Sequence, residues 1–434
     1  MLKKSIYIPV EWLSRELDSF ILLTKFALKS KFRIFLGSKR TIHLYLEKKE
    51  TKNGVFFYKG GLKKEICQFI DKNCDALVIL DQEIGPVNND DLNYKIKTRF
   101  YKGTLKFISR YYCIGQNVFE IGKKLLNPKL KGQSVLTGWP RVDIWKGNFN
   151  NLYKKEEKYI KEKYKNYILF SSSFICMDLS DIDLYKKRVK AYWTSYKHPV
   201  KKKIKQMKIS YYEFLQFKNF LDEYDKNKGL PKLVIRPHPS ENYKIWQDVL
   251  KDYSNIFLER KFDIHPWISN SKMVLHRGCT SAVHGQISNK KVVMIKLLKK
   301  FAHPHFEKFS DFLIKSPNEI KKILIRSKKK NKIQKKNKYL LIGKKFSSQN
   351  ITDDINKINH VNSELVYNFD IKTKIIFNLK TIFYRYKNKF AFSLTNKDKL
   401  KGGIKEKEIK EKLENLNVKN FNIKTLIPNL IVIE

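Results

Sequence analysis

Cysteine and acidic residues are both scarce in this chain. Its five cysteines in 434 residues, Cys67, Cys74, Cys113, Cys176 and Cys279, form an odd set without a Cys-x-x-Cys pair. That argues against a disulfide framework or a thiolate zinc site and points to a reducing compartment. No run reaches the ~18 consecutive apolar residues of a membrane span. The basic start MLKKSIYIPVEWL is interrupted by Pro9 and Glu11, so it reads as a first strand and not as a signal peptide. The expected location is the cytoplasm, with the protein soluble or peripheral on the inner face of the cytoplasmic membrane. No DxD metal site stands out, and neither a metal nor a cofactor is expected. Asp and Glu number 42 against 90 Lys and Arg, a formal net charge of +48. That excess suits nucleic acid, an anionic membrane surface or an anionic small substrate. It also suits a composition biased toward Lys and Asn, with the charge solvated all over. No nucleic-acid motif accompanies it, so nucleic acid is not an expected partner.

Apolar and aromatic residues are plentiful, 42% and 13% of the chain, enough to bury substantial cores. The length suggests two or three domains. SIYIPV (Ser5 to Val10), FRIFLGS (Phe32 to Ser38) and DALVILD (Asp75 to Asp81) are apolar strand-like runs separated by helical periodicity. The alternation restarts at YILFSSSF and continues through PKLVIRPHP, NIFLER, KMVLHRG and KVVMIK. Continuous apolar strands between helices indicate parallel sheets covered on both faces. The expected fold is α/β, two doubly wound Rossmann-like domains facing a cleft. Residues 1–148 form the first and 167–345 the second. A charged linker helix spans 149–166, and a basic helical C-terminal extension covers 346–434. Within that extension, Ile371 to Phe392 reads as a helix docked on the domains or lying on an anionic bilayer. Arg326 to Lys338 reads as a solvated basic run.

Three turns carry candidate chemistry. In VIRPHPSEN, a strand end meets a helix start, where backbone N–H groups favour anions. Arg236 and His238 add donors there, and Pro237 and Pro239 fix the turn. The plainer reading pairs Arg236 with a surface carboxylate and lets His238 cap the next helix. In HRGCTSAVHG, His276 ends a strand and Thr280 and Ser281 open a helix, as caps or as donors to a phosphate. In LDQEIGP, Asp81 and Glu83 share a face of an extended chain, and one of them could take a proton from a hydroxyl. Otherwise Asp81 caps the next element and Glu83 is solvated. Two further patches are PVEWLSRELD, where Arg15 pairs Glu11 or meets substrate, and TGWPRVDIW, where Gly138, Arg141 and Asp143 mark a hinge or a cleft floor.

In this order, PVE…RELD, LDQEIG, TGWPRVDIW, RPHPSEN and HRGCTSAVHG resemble the surface carbohydrate biosynthesis proteins of bacteria, from about Pro9 to about Ile295. More distantly the chain is similar to GT-B glycosyltransferases that use CMP-activated acidic sugars, the bacterial sialyltransferases and the Kdo transferases of capsule synthesis. The resemblance implies an acceptor domain followed by a nucleotide-donor domain. It implies a metal-independent, inverting glycosyltransferase of capsule or lipopolysaccharide synthesis, with a nucleotide-sugar donor and a glycan or lipid-linked acceptor. It makes Glu83 the base with Asp81 beside it, brings His238 to the phosphate, and makes Thr280 and Ser281 its anchors. Glu11, Arg15, Arg141, Arg236, His276 and His284 complete the expected binding set. The sequence departs from that pattern in two places: the acids of Asp81-Gln82-Glu83-Ile84-Gly85 are not adjacent, and His284 stands where the family has glutamate. CDP-glycerol phosphotransferases share a similar RxHP element. Alternatives are therefore such a phosphotransferase, a nucleotide-sugar epimerase or hydrolase, or a non-enzymatic basic binding protein.

Overall fold

A computed structural model describes residues 3–49, 51–86, 89–192, 200–300, 303–326, 338–359, 361, 366–379, 400 and 402–434. The chain divides into two units, Met1–Ile144 with Asn337–Glu434, and Trp145–Lys336.

In unit 1 the apolar runs become β1 (Ser5–Val10), β2 (Arg33–Ser38), β3 (Val55–Tyr58), β4 (Ala76–Leu80), β5 (Ile108–Cys113) and β6 (Gln133–Leu136). These six are parallel, and their spatial order is β2-β1-β3-β4-β5-β6. Every residue of β1, β3 and β4 is buried, as strands covered by helices on both faces require. The chain steps to one side of β1 to make β2, then to the other to make β3. The topological switch therefore falls between β1 and β3, and in open α/β sheets ligands bind outside the carboxyl ends of the strands at that point.

The C-terminal residues do not form a separate helical extension. β13 (Ile423–Ile427) and β14 (Leu430–Ile433) make a hairpin, and β14 pairs antiparallel with β2, lengthening the sheet to eight strands. Glu434 closes this edge with a 2.7 Å ion pair to Arg33. Residues 371–379 are helical. The remainder of the expected helix to 392, and residues 327–337 of the basic run, lie outside the described residues.

Unit 2 is built from β7 (Tyr167–Ser171), β8 (Lys232–Arg236), β9 (Ile256–Leu258), β10 (Met273–His276), β11 (Lys291–Ile295) and β12 (Phe312–Ile314). All are parallel, in the order β12-β11-β10-β7-β8-β9, the doubly wound arrangement of dinucleotide-binding domains, with its switch between β7 and β10. Both units thus have the doubly wound α/β architecture expected of them. The charged helix Lys154–Tyr164 is no free linker. Ile160 and Tyr164 are buried in the unit 2 core against Trp267. Among the described residues no helix is long and apolar enough to cross a membrane.

Candidate functional site

Each unit gathers polar side chains at the carboxyl edge of its sheet, where its switch point lies. In unit 2, pairing sets Ser171 level with Arg236 on one side and His276 on the other. The segments that leave β7, β8 and β10 therefore run side by side. His238 is exposed, and its Nδ1 accepts from the Ser240 backbone N–H at 3.2 Å and meets the Ser240 hydroxyl at 2.6 Å. An Nδ1 that accepts leaves Nε2 as the protonated nitrogen of the neutral ring. Glu241 links the neighbouring turns: its Oε2 accepts from Ser172 Oγ and from Trp246 Nε1, both at 2.7 Å. Its backbone N–H donates to the His238 carbonyl at 2.9 Å.

The third turn depends on glycine. Gly278 has φ +119°, and a Cβ there would lie 2.6 Å from that of His303. The turn leads into the short helix Ser281–Ile287, where Thr280 stands exposed and makes no side-chain cap. Ser281 is buried, and its hydroxyl faces Cys279 Sγ. Of the two hydroxyl residues, Thr280 is therefore the exposed one and Ser281 the buried one.

Three expected binding residues have structural work instead. Arg236 donates to the carbonyls of Lys261 and, at 2.8 Å, Phe262, with its guanidinium over Trp267. Burial draws its pKa down to about 10. It ties β8 to the loop after β9, and among the described residues no carboxylate forms an ion pair with it. His276 is fully buried, held between Ser310 Oγ at 2.9 Å and the Gly278 N–H at 3.0 Å; burial lowers its pKa to about 3, so it stays neutral. His284 is buried, stacks on Trp145 at 4.4 Å and meets His265 Nδ1 through Nε2 at 2.9 Å. Each of these roles depends on partners distant in sequence.

In unit 1, the ends of β1, β3 and β4 bring together Glu11, Tyr58, Lys59, Asp81 and Glu83. Lys59 Nζ bridges Glu16 at 2.6 Å and Glu11 at 3.2 Å, and the Tyr58 hydroxyl donates to Glu11. Burial pushes the Glu11 pKa up, but Lys59 and Tyr58 outweigh it and hold the carboxyl below its usual range. Glu16 Oε2 also accepts from the N–H groups of Glu11 and Trp12 at 2.8 and 3.1 Å. The expected Arg15–Glu11 pair is absent; Arg15 contributes instead to the field at Glu83.

Asp81 and Glu83 differ in access. Asp81 is buried and held bidentate by Arg99 at 2.6 and 2.9 Å. Glu83 is 45% exposed and pairs Arg99 through Oε2 at 2.9 Å, while Oε1 has no hydrogen bond among the described residues. Burial raises the Glu83 pKa, but Arg99, Lys59 and Arg15 together bring it below its usual range, so the carboxylate is ionised. Arg99 comes this close because a Cβ at Gly61 would collide with its backbone carbonyl. Tyr58, Lys59 and Arg99 were not singled out from sequence; the Lys-Gly-Gly after VFFY was the available signal.

Arg141 lies over the Trp139 ring at 5.4 Å, on the short helix Pro140–Trp145. Its neighbour Asp143 is fully buried and accepts from the N–H groups of Ser347 and Ser348 at 3.0 and 3.1 Å, capping the helix Ser347–Asn356.

Replacing Arg99 by alanine leaves Asp81 buried without its counter-ion. The expected cost is about 2–4 kcal/mol of unit 1 stability, read by denaturant unfolding. The Glu83 pKa, followed by carboxyl NMR, should rise toward its ordinary value in the same variant. A depressed carboxylate gives stability above its unfolded pKa and loses it as pH falls through the folded value. The variant should therefore lose less of this contribution in acid than the wild type.

No family model matches the chain, and no curated protein matches it. Similar solved structures include UDP-GlcNAc 2-epimerase of Methanocaldococcus jannaschii with UDP-GlcNAc and UDP, at 12% identity and TM-score 0.48, covering 82% of this chain and 99% of that one. Another is the S. aureus MnaA–UDP co-structure, at 13% identity and TM-score 0.47, covering 82% and 96%. A third is the wall teichoic acid polymerase TagF, at 12% identity and TM-score 0.43, covering 82% and 88%. At such identities residue roles do not transfer, and the side chains above stand on their own geometry.

Proposed function

We propose that the chain is a metal-independent, inverting glycosyltransferase of GT-B type in surface polysaccharide synthesis. Its donor is a CMP-activated acidic sugar, its acceptor a glycan or lipid-linked hydroxyl, and its place the cytoplasm or the inner face of the membrane. The observation that carries this reading is His238: its Nδ1 is engaged by Ser240, and its Nε2–H stands at the carboxyl end of β8 in a dinucleotide-type sheet. Such a donor, with the Thr280 hydroxyl, suits the oxygens of a departing phosphate. On the acceptor side Glu83 offers an ionised carboxylate whose Oε1, among the described residues, is uncommitted. The acceptor oxygen gives its proton to Glu83 and bonds to the anomeric carbon. The bond from that carbon to the phosphate oxygen breaks, and CMP departs. Glu83 acts as base rather than Asp81 because Asp81 is buried and committed to Arg99.

Calorimetry with CMP, CDP, UDP, GDP and single-stranded DNA, on wild type and His238→Ala, tests the reading. A cytidine nucleotide should bind wild type and lose about 10- to 100-fold in the variant, the worth of a hydrogen bond to a charged group. DNA binding alone, steeply salt-dependent and indifferent to His238→Ala, would defeat the proposal.

A further inference from the structure

A surface helix ordinarily buries its apolar face and turns its polar face to water. The helical residues 371–379 of unit 1 depart from that rule. Their inner side is docked: Phe377 is 9% exposed, with its ring 5.5 Å from the Arg40 guanidinium of the helix Lys39–Lys48. Just before them Phe369 is buried, its ring 6.3 Å from that of Tyr45 on the same neighbouring helix. Asp370 caps the first turn, accepting from the Thr373 N–H at 2.6 Å and the Thr373 hydroxyl at 2.9 Å. These contacts fix the rotation of the helix, and the side they leave outward is apolar too. Ile371, Ile375, Ile376 and Leu379 are 76%, 53%, 41% and 61% exposed. At about 3.6 residues per turn these four, with Lys372 among them, fill one sector about 140° wide.

Large aliphatic side chains grouped on a surface mark a place of contact. The charge around this group has one sign. Its sector carries no acid, Lys372 is exposed within it, and the nearest carboxylate in sequence, Asp370, is engaged in the cap. Exposed Lys424 adds a cation beside the start of the helix, where it donates to Asn368 Oδ1 at 3.1 Å. The sequence from Ile371 to Phe392 keeps that balance, with six Lys or Arg and no Asp or Glu. A nucleic acid would meet the cations and leave the aliphatics in water. A second copy would cover the aliphatics but bring together like cations of a chain whose net charge is +48. An anionic bilayer takes both: the aliphatics enter the headgroup boundary and the lysines meet the headgroups.

We infer that the outward face of residues 371–379 is where unit 1 rests on an anionic lipid bilayer. Arg40 meets Phe377 of this helix, and its neighbour Lys39 reaches the Tyr58 ring of the Glu11–Glu83 cluster at 5.0 Å. The bilayer contact and the candidate base thus flank the first turn of one helix, an arrangement that suits a lipid-linked acceptor. That link to the acceptor rests on the transferase reading; the bilayer contact itself does not.

Co-sedimentation of the full chain with phosphatidylcholine vesicles, with and without about a third phosphatidylglycerol, tests the inference. Wild type should partition onto the anionic vesicles and keep part of that binding in high salt, because burial of the aliphatics is not screened. The double variant Ile375→Ser, Leu379→Ser should lower the partition coefficient at least about tenfold at either salt. Lys372→Ala should lower it about fivefold, at low salt only. All three positions are exposed, so both variants should unfold at the wild-type denaturant concentration and bind nucleotide as wild type does. Partitioning of the double variant equal to wild type would overturn the inference, leaving only a basic surface drawn to anions. Binding by wild type that vanished in high salt, or no binding at all, would do the same. A dimer seen by sedimentation velocity in wild type and lost in the double variant, without vesicle binding, would overturn it in favour of a second copy. Failure of wild type to bind any nucleotide would count against the transferase alone.

Discussion

Glu213→Ala should loosen unit 2 by about 3–5 kcal/mol, the cost of stranding a buried charge. Glu213 projects from the long helix Val200–Lys226 and forms an ion pair with Arg277. Both side chains are nearly inaccessible, at 6% and 4% exposure. Arg277 sits just past β10, lies over Phe174 and donates to the Ser173 carbonyl at 2.7 Å. It therefore holds the segment leaving β7 against the segment leaving β10, across the switch point of the sheet. Without Glu213 the guanidinium stays buried, with carbonyl contact but no counter-ion. Hydrogen exchange should speed up by about a hundredfold or more at the β7 and β10 amides, which are protected by that unit's stability. The double variant Glu213→Leu, Arg277→Met should regain most of the loss, since a buried pair replaced as a whole by apolar residues costs little. A single variant that exchanged like wild type would show that Arg277 does not rely on Glu213. Nucleotide binding should weaken along with the exchange protection, because the Ser173 segment borders the His238 turn.

The sequence disclosed those parts of the molecule that are continuous along it. Strands such as β4 and β8 announce themselves as uninterrupted apolar runs, and the turns after β8 and β10 carry their own prolines, glycine and hydroxyls. Shorter or paired-at-a-distance elements stayed hidden. β3 is only four residues, Val55–Tyr58, too brief to show a period, and with it went Tyr58 and Lys59 of the unit 1 cluster. β14 is recognisable as part of the sheet only once it lies beside β2, nearly four hundred residues away in sequence. The same limit governs the side chains. His276 reads as a ligand until Ser310 and the Gly278 amide enclose it, and Arg236 reads as a phosphate donor until Lys261 and Phe262 take its N–H groups. Asp143 reads as part of a hinge or a cleft floor; it is the cap of a helix that begins at Ser347. Local chemistry identified where in the fold ligands belong, and long-range packing determined which of the candidate residues face them.

Glu241 offers the clearest pH signature. It is 7% exposed, and Oε1 is buried without a partner, while Oε2 takes both the Ser172 and Trp246 donors. Burial outweighs those two hydrogen bonds and raises its pKa from 4.5 to about 7. The folded state thus holds a proton that the unfolded chain releases at lower pH. For a raised carboxyl the stability is fully present below the unfolded value and is lost as pH rises through the folded one. Unit 2 should weaken between about pH 4.5 and pH 7, by up to about 1.4 kcal/mol per pH unit and on the order of 3 kcal/mol in all. Above that window the loss levels off. Glu241→Gln keeps an oxygen for Ser172 and Trp246 but carries no charge. Its stability should track the wild type near pH 4.5 and exceed it by on the order of 3 kcal/mol above about pH 8. Subtracting the two denaturation profiles isolates this one carboxyl, since all other titrating groups are common to both proteins. Parallel profiles would mean that Glu241 stays ionised throughout. The junction between the Ser172 and His238 turns would then be held by a charged carboxylate. A widening gap would instead identify a neutral acid holding the two turns together, and nucleotide binding that depends on them should fade over the same pH range.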